Sequence, residues 1–297
     1  MSPRFQTPLR ILVIFNPVAG RRHRRRLNST IEYLREGGCT VTLLETQEAD
    51  DVERMARFAG ADSYDAIVAA GGDGTINGVA NGLASLAAPP PMGLIPLGTA
   101  NVLAAEIGLA TTARAAARVL MAGKRRTIRL GSVNGRHFVL MASAGLDAEV
   151  VAGLNLALKR RIGRLAYVLD SLVRAIRYRF PPLSIVADGH RYKARMAVVC
   201  KGRCYGGPFV AAPAGRLDEP ILHLILLKNG GLLNTLRYGL ALAMGAIESL
   251  ADVKIVPVRH ATIEGIAGAP VQADGDLATR LPVDIGLSPR TLELIVR

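Results

Sequence analysis

From Leu9 to Ala122 the period of the hydrophobic positions changes several times. Leu9 to Phe15 is an apolar run interrupted only by Arg10, and it stops at Asn16-Pro17 like a buried strand. Leu27 to Arg35 has apolar residues at helical spacing and ends at Gly37-Gly38. Thr40 to Leu44 returns to strand pattern, and Asp50 to Phe58 is helical with acids in its first turn. Asp65 to Ala70 reads as a strand running into a glycine turn, Ile76 to Leu86 as a helix and Met92 to Pro96 as a strand; Ala100 to Ile107 and Thr112 to Ala122 follow as helices. Such alternation predicts a parallel sheet flanked by helices, which binds ligands beyond the carboxyl ends of its strands.

After Lys124-Arg125-Arg126 the pattern becomes that of antiparallel strands. Asn134-Gly135 lies between Thr127 to Val133 and His137 to Ala142, and Asp188-Gly189 lies between Leu183 to Ala187 and Tyr192 to Cys200. Both are hairpin signals. Further strand pattern follows at Ile221 to Leu227, Asp252 to Ile263, Pro282 to Leu287 and Thr291 to Val296, interrupted by helical inserts near Leu154 to Tyr178 and Leu232 to Leu250. The expected fold class is therefore an α/β N-terminal domain over residues 1–126 and a β-rich, antiparallel, sandwich-like domain with helical inserts over residues 127–297.

Charge narrows the function. The 297 residues carry 37 basic against 24 acidic side chains, a net +13, while half are hydrophobic and only 21% charged. A disordered chain is excluded. Three cysteines (Cys39, Cys200, Cys204) make no disulfide framework and point to a reducing compartment. No segment has the make-up of a signal peptide or a membrane span, so the expectation is a cytoplasmic protein. The basic residues cluster: Arg21, Arg22 and Arg24 to Arg26 in one run, and Lys159, Arg160, Arg161, Arg164, Arg174, Arg177 and Arg179 in the first insert. Such clusters seek an anionic partner. Nucleic acid is disfavoured by the 4% aromatic content and the absence of tryptophan, which leaves nucleotide phosphates and anionic lipid headgroups.

Three predicted strands end in turns with phosphate-binding character. Gly71-Gly72-Asp73-Gly74-Thr75 offers backbone amides, a hydroxyl and a helix N-terminus to an anion. Asp73 would repel phosphate unless it holds Mg²⁺, orders basic groups or takes a proton from an attacking hydroxyl. Asn16-Pro17-Val18-Ala19-Gly20-Arg21-Arg22 and Pro96-Leu97-Gly98-Thr99-Ala100-Asn101 have the same character. Three such turns on one sheet edge favour a nucleotide-phosphate site over plain turns.

These segments, with Asp274-Gly275-Asp276, resemble the diacylglycerol kinase catalytic-domain superfamily, which includes bacterial soluble lipid kinases, sphingosine kinases and ceramide kinases. The resemblance extends over almost the whole chain. It implies an ATP-dependent lipid kinase with ATP and Mg²⁺ in a cleft between the two domains, acting on a lipid alcohol such as diacylglycerol or a sphingoid-type alcohol. It makes Gly71, Gly72, Gly74 and Thr75 the nucleotide-phosphate loop, with Asn16, Thr99 and Arg21 as further nucleotide contacts. Asp274 becomes the catalytic base and Asp73 a catalytic, metal-organising carboxylate. The residues alone leave Asp274 open between a base and an Asp-Gly hairpin turn.

Leu217-Asp218-Glu219-Pro220 is similar to a family segment that contributes a metal ligand, with Asp218 at the matching position, but it departs from the usual form at Glu219-Pro220 and His223. Gly78 stands where the family commonly has Glu, and Asp276 replaces the commoner Glu. NAD kinase, which shares a Gly-Gly-Asp-Gly loop, and a non-catalytic regulatory module that binds nucleotide or anionic lipid are the alternatives. In the first insert Leu154, Leu158, Ile162, Leu165, Leu169, Leu172 and Ile176 recur at helical spacing among the basic residues. That pattern suits ordinary core packing, and it also suits peripheral contact with the anionic inner face of a membrane. None of the five histidines carries a catalytic signal.

Overall fold

A strand apolar at every position has to be covered on both faces, and the N-terminal strands are of this kind. The computed structural model describes residues 8–17, 23–48, 51–59, 64–153 and 173–297, and it divides into residues 1–128 with 292–297 and residues 129–291. In the first unit β1 (Arg10–Phe15), β3 (Ala66–Gly71) and β4 (Met92–Pro96) are buried almost throughout, whereas the edge strand β2 (Thr40–Glu45) is half exposed. The strands are parallel in the order β2-β1-β3-β4, with Leu294 near the chain end paired beside Met92. Residues 292–297, which the sequence reading gives to the second domain, thus belong to the first unit.

The helices α1 (Arg24–Glu36), α2 (Asp51–Ala59), α3 (Asp73–Ala84), α4 (Val102–Glu106) and α5 (Ala113–Ala122) connect and cover these strands. Leu27, Ile31 and Leu34 of α1 and Ala117 and Leu120 of α5 share one core with Val13, Phe15 and Val68. Each such fully buried aliphatic side chain contributes about 1.5–3 kcal/mol. Helix α5 is capped by Thr112, whose hydroxyl oxygen accepts from the Ala115 amide at 3.3 Å, and it ends at Gly123 in the left-handed region (φ 61°). On the other face α2 packs closely on α3. A Cβ at Gly78 would lie 2.8 Å from the Val52 side chain, so glycine there serves helix contact, and the Glu common in the family would strike α2.

The second unit is a two-sheet sandwich that also carries the short antiparallel pair β11 (Cys204–Tyr205) and β12 (Phe209–Val210). One sheet runs β14-β13-β10-β7-β16-β17, built from Val253–Val258, Leu222–Leu227, Met196–Cys200, Met141–Ala144, Pro270–Ala273 and Asp276–Arg280. The other contains β18 (Val283–Ile295), β15 (His260–Glu264), β8 (Leu183–Ala187) and β9 (His190–Ala194), with the β5–β6 hairpin (Arg125–Val133, Arg136–Phe138) on β18. Val199, Leu224 and Val271 from the first sheet meet Ile185, Ile263 and Ile285 from the second in one core. Helix α6 (Leu146–Gly153) packs on β7 and β16, and α7 (Leu232–Ala243) follows β13. Asp252 to Ile263, one strand in the sequence reading, breaks at Arg259, so that β14 and β15 join different sheets. Pro282 to Leu287 and Thr291 to Val296 conversely fuse into the single strand β18. Leu154 to Leu172 of the first insert, and with it Lys159, Arg160, Arg161 and Arg164, lie outside the described residues, as do Val18 to Arg22 with Arg21.

Candidate active site

In a sheet ordered β2-β1-β3-β4 the chain turns opposite ways after β1 and β3, so the crevice at their carboxyl ends is the topological switch point. Asn16 leaves β1 there, and its amide donates to the Ala70 carbonyl at 3.2 Å. Gly71 ends β3, and its carbonyl accepts from the Leu97 amide at 2.8 Å, which joins the turn after β3 to the turn after β4. The two turns meet through glycines: a Cβ at Gly98 would come 2.4 Å from the Cα of Gly72. Asn101, left-handed at φ 49°, closes the second turn by accepting from the Gly98 amide (2.8 Å) and donating to the Gly98 carbonyl (2.9 Å).

Asp73 has a role the sequence did not disclose. Its Oδ1 accepts from the Val102 amide at 2.7 Å and so caps the short helix α4 from the first turn of α3. One carboxylate therefore belongs to both phosphate-type turns. Thr75 is 3% exposed, and its hydroxyl oxygen has no hydrogen-bond partner among the described residues. That hydroxyl lies over Gly71, where a Cβ would be 2.3 Å away. A buried hydroxyl without a partner costs about 1–3 kcal/mol, and an anion drawn in by the surrounding amides would satisfy it. Gly74 and Thr99 are exposed on the same turns. The glycine cradle and the orphan hydroxyl fit a nucleotide's phosphates.

The N-terminal arginines are partly committed elsewhere. Arg24 pairs with Glu45 at the end of β2 and stacks on the Phe15 ring at 5.3 Å; the paired Glu45 raises its pKa, and the guanidinium holds the Glu45 carboxyl below the usual range. Arg26 donates to the Pro96 carbonyl at the end of β4, and burial lowers its pKa. These two side chains brace the strand ends.

In the second unit Asp274 occupies the first position of the hairpin turn between β16 and β17, with φ 49° at Asp274 and 86° at Gly275. Its carboxylate is 5% exposed and accepts three backbone amides of the β6–β7 connection: Val139 at 2.6 Å on Oδ2, and Leu140 at 2.9 Å and Met141 at 3.0 Å on Oδ1. Behind the turn lies a buried polar chain that the sequence reading missed. Gln272 accepts the Gly275 amide at 2.9 Å and donates to Ser143 Oγ (2.9 Å) and Asp147 Oδ2 (3.0 Å), while Ser143 donates to Asp147 at 2.5 Å. A polar Ser and Gln at buried positions of otherwise apolar strands, with an Asp four residues after the Ser, were the signals available.

Asp218 lies beside a guanidinium. Its carboxylate lies 3.5 Å from Arg216 Nε, which Glu219 approaches at 3.1 Å, so a guanidinium takes the place of a cation. No group of three or more His, Cys, Asp or Glu side chains suited to a metal occurs among the described residues. A Mg²⁺ ion bound with a nucleotide needs only one or two carboxylates beside the phosphates, and Asp73 is the carboxylate on the glycine turn. Cys200, Cys204 and Cys39 are buried and reduced. His223 is buried opposite Cys200, and burial pushes its imidazole below the usual range; the nearby Lys201 acts in the same direction and Glu219 against it. The unfolded chain therefore takes up this proton first as pH falls below roughly 6.5, and stability is lost there while none is lost above it. His223→Gln should lose less melting temperature between pH 7 and 5.5 than the wild type, as thermal unfolding at the two pH values would show.

The site thus joins two glycine turns at the switch point of an α/β unit, on the same chain as a β-sandwich with a buried, clamped carboxylate. Residues 10–133 match the model of the diacylglycerol kinase catalytic domain, and residues 140–296 match that of the YegS C-terminal NAD kinase beta sandwich-like domain. The chain is 30% identical to a diacylglycerol kinase of Bacillus subtilis over 92% of its own length and 91% of that protein's. It is 30% identical to the "Probable lipid kinase YegS-like" of Pseudomonas aeruginosa, covering 96% and 93%. A crystal structure of a diacylglycerol kinase from Bacillus anthracis superposes with a TM-score of 0.78 over 98% of both chains at 24% identity, which supports the fold. The chain belongs to the diacylglycerol kinase catalytic-domain superfamily of lipid kinases.

Proposed function

We propose that this lipid kinase transfers the γ-phosphoryl group of ATP to the hydroxyl of a lipid alcohol such as diacylglycerol or a sphingoid-type alcohol. The observation that carries the nucleotide half is the stitched pair of glycine turns at the switch point, with the Thr75 hydroxyl, unpartnered among the described residues, beneath them. Gly71, Gly72 and Gly74 amides and the Thr75 hydroxyl would hold the phosphates, Asn16, Thr99 and Arg21 would add nucleotide contacts, and Asp73 would hold Mg²⁺. Bound ATP supplies the phosphoryl group and its Mg²⁺ offsets the phosphate charge. Asp274 receives the lipid hydroxyl's proton as the new oxygen–phosphorus bond forms and the bond to the departing diphosphate breaks. Because phosphoryl transfer depends mostly on positioning, a carboxylate held rigidly by three amides suits that role.

The lipid brings in a membrane surface. No helix among the described residues is long and apolar enough to cross a bilayer. Leu233, Leu236, Leu240 and Met244 form an exposed apolar stripe on and just beyond α7, and Arg177 and Arg179 are exposed; both features support reversible contact with an anionic cytoplasmic membrane face. The test of the substrate is a panel of lipid alcohols (diacylglycerol, sphingoid base, ceramide) incubated with labelled ATP, with products identified by mass. One phosphorylated lipid is expected; phosphorylation of NAD with no lipid product would favour the NAD kinase reading.

A further inference from the structure

The polar chain behind the Asp274 turn has a defined direction. Ser143 on β7, Asp147 in the first turn of α6 and Gln272 on β16 are 0%, 8% and 2% exposed, yet they bond to one another and to a backbone amide of the turn. Asp147, when ionised, can only accept, so it fixes both neighbours. Ser143 must donate to it, and the amide nitrogen of Gln272 must face it. The amide oxygen of Gln272 is then left pointing at Gly275, where it receives the N–H of the residue that follows Asp274. A buried chain of this kind is rigid only if every member is satisfied, because each unpaired group costs its desolvation.

We infer that Gln272, oriented by Asp147 and Ser143, is a positioning residue for Asp274: it holds the Asp274–Gly275 turn in register from one side while the amides of residues 139–141 hold the carboxylate from the other. The inference rests on the reading of Asp274 as the acceptor of the hydroxyl proton. Gln272 acts through the backbone of the turn and touches no reacting atom. Without its amide the Gly275 N–H of the exposed turn is left to solvent and the buried Asp147 loses one of its donors, so the turn and its carboxylate are no longer tied to the buried chain and are free to shift. A displacement of about 1 Å at a reacting group is enough to cost roughly 100-fold in rate.

Two variants test this with readouts that a purely structural role would not produce. Gln272→Leu keeps the side-chain volume and removes all three bonds, to Gly275, Ser143 and Asp147. Assayed well below its melting temperature, it should lose roughly 10- to 100-fold in kcat with little change in KM for ATP, since the phosphate turns lie in the other unit. Gln272→Glu puts a second carboxylate about 3 Å from Asp147, and the pair then shares one proton. Glu149 on α6, Asp274 and Asp276 are the other acidic groups on the packed elements, and Arg280 on β17 is the basic one. When protonated, the introduced carboxyl group donates to Asp147 and accepts from Gly275 as the native amide does. The kcat of this variant should therefore rise as pH falls from 8 towards 6, the reverse of what a base-dependent wild type does.

Both signatures together support the inference. A folded Gln272→Leu with wild-type kcat, or a Gln272→Glu with the wild-type pH profile, overturns it. Asp274→Ala separates the two levels. If that variant keeps full activity, the reading of Asp274 and this inference fall together; if it is inactive while Gln272→Leu is not impaired, this inference alone falls.

Discussion

Asp274→Asn is expected to abolish lipid phosphorylation and to loosen the β-sandwich at the same time. The amide cannot accept the hydroxyl proton, a loss of about 10²- to 10⁴-fold in kcat. The stability effect comes from the clamp. Oδ1 serves the Leu140 and Met141 amides and Oδ2 serves Val139, so whichever way the new amide turns, its NH₂ faces at least one N–H donor. An unmatched buried donor costs about 1–3 kcal/mol. Nucleotide affinity should stay near that of the wild type, because the phosphate turns belong to the first unit. Thermal unfolding, nucleotide titration and turnover on one sample check the three parts. A variant within about twofold of wild-type turnover removes Asp274 from the mechanism.

Asp73 calls for a pair of substitutions, since the structure gives its carboxylate both a capping bond and a charge. Asp73→Asn keeps an oxygen for the Val102 amide and removes only the charge, so the fold should hold while Mg²⁺-dependent nucleotide use falls sharply. Asp73→Ala also removes the cap, and should lose a further 0.5–2 kcal/mol of stability, on the order of other lost N-caps. Equal melting temperatures for the two variants would deny the capping role. An Asp73→Asn enzyme with unchanged Mg²⁺ dependence but collapsed turnover would move Asp73 from metal organisation to proton transfer.

Local chemistry made much of this fold legible. Asn134-Gly135 and Asp188-Gly189 are turns in which both residues take positive φ, 46° and 84° in the first and 44° and 81° in the second, as their dipeptides require. Asp274-Gly275 is the same turn, so its sequence announced geometry and could not announce chemistry. The clamp alone does not settle the matter either. Asp188 likewise accepts backbone amides, from Arg259 at 2.9 Å and His260 at 3.0 Å, yet it lies exposed at a plain turn. Asp274 differs in its burial and in the polar chain through Gln272, which joins residues 129 positions apart in the sequence.

The rest was hidden for related reasons. The alternation of Asp252 to Ile263 continues across Arg259 while the chain changes sheets, because both sheets bury the same kind of residue. The role of Gly78 depends on Val52 of α2, a contact between helices that neither helix's own pattern contains. The phosphate turns were legible one by one as glycine, hydroxyl and asparagine. Their union through the Leu97 amide, the Gly72–Gly98 approach and the Asp73 cap was not, since each bond joins turns about 25 to 30 residues apart.

Phosphoryl transfer from ATP to a lipid hydroxyl is the reaction proposed for this protein. Its most direct test is one incubation of the wild-type protein with γ-labelled ATP, Mg²⁺, NAD and diacylglycerol dispersed in anionic phospholipid, followed by separation of the organic and aqueous phases. Label is expected in the organic phase as a phosphorylated lipid, dependent on Mg²⁺ and absent with Asp274→Asn. Label confined to the aqueous phase, as inorganic phosphate or a phosphorylated dinucleotide, under conditions where the protein is folded and binds ATP, would contradict it.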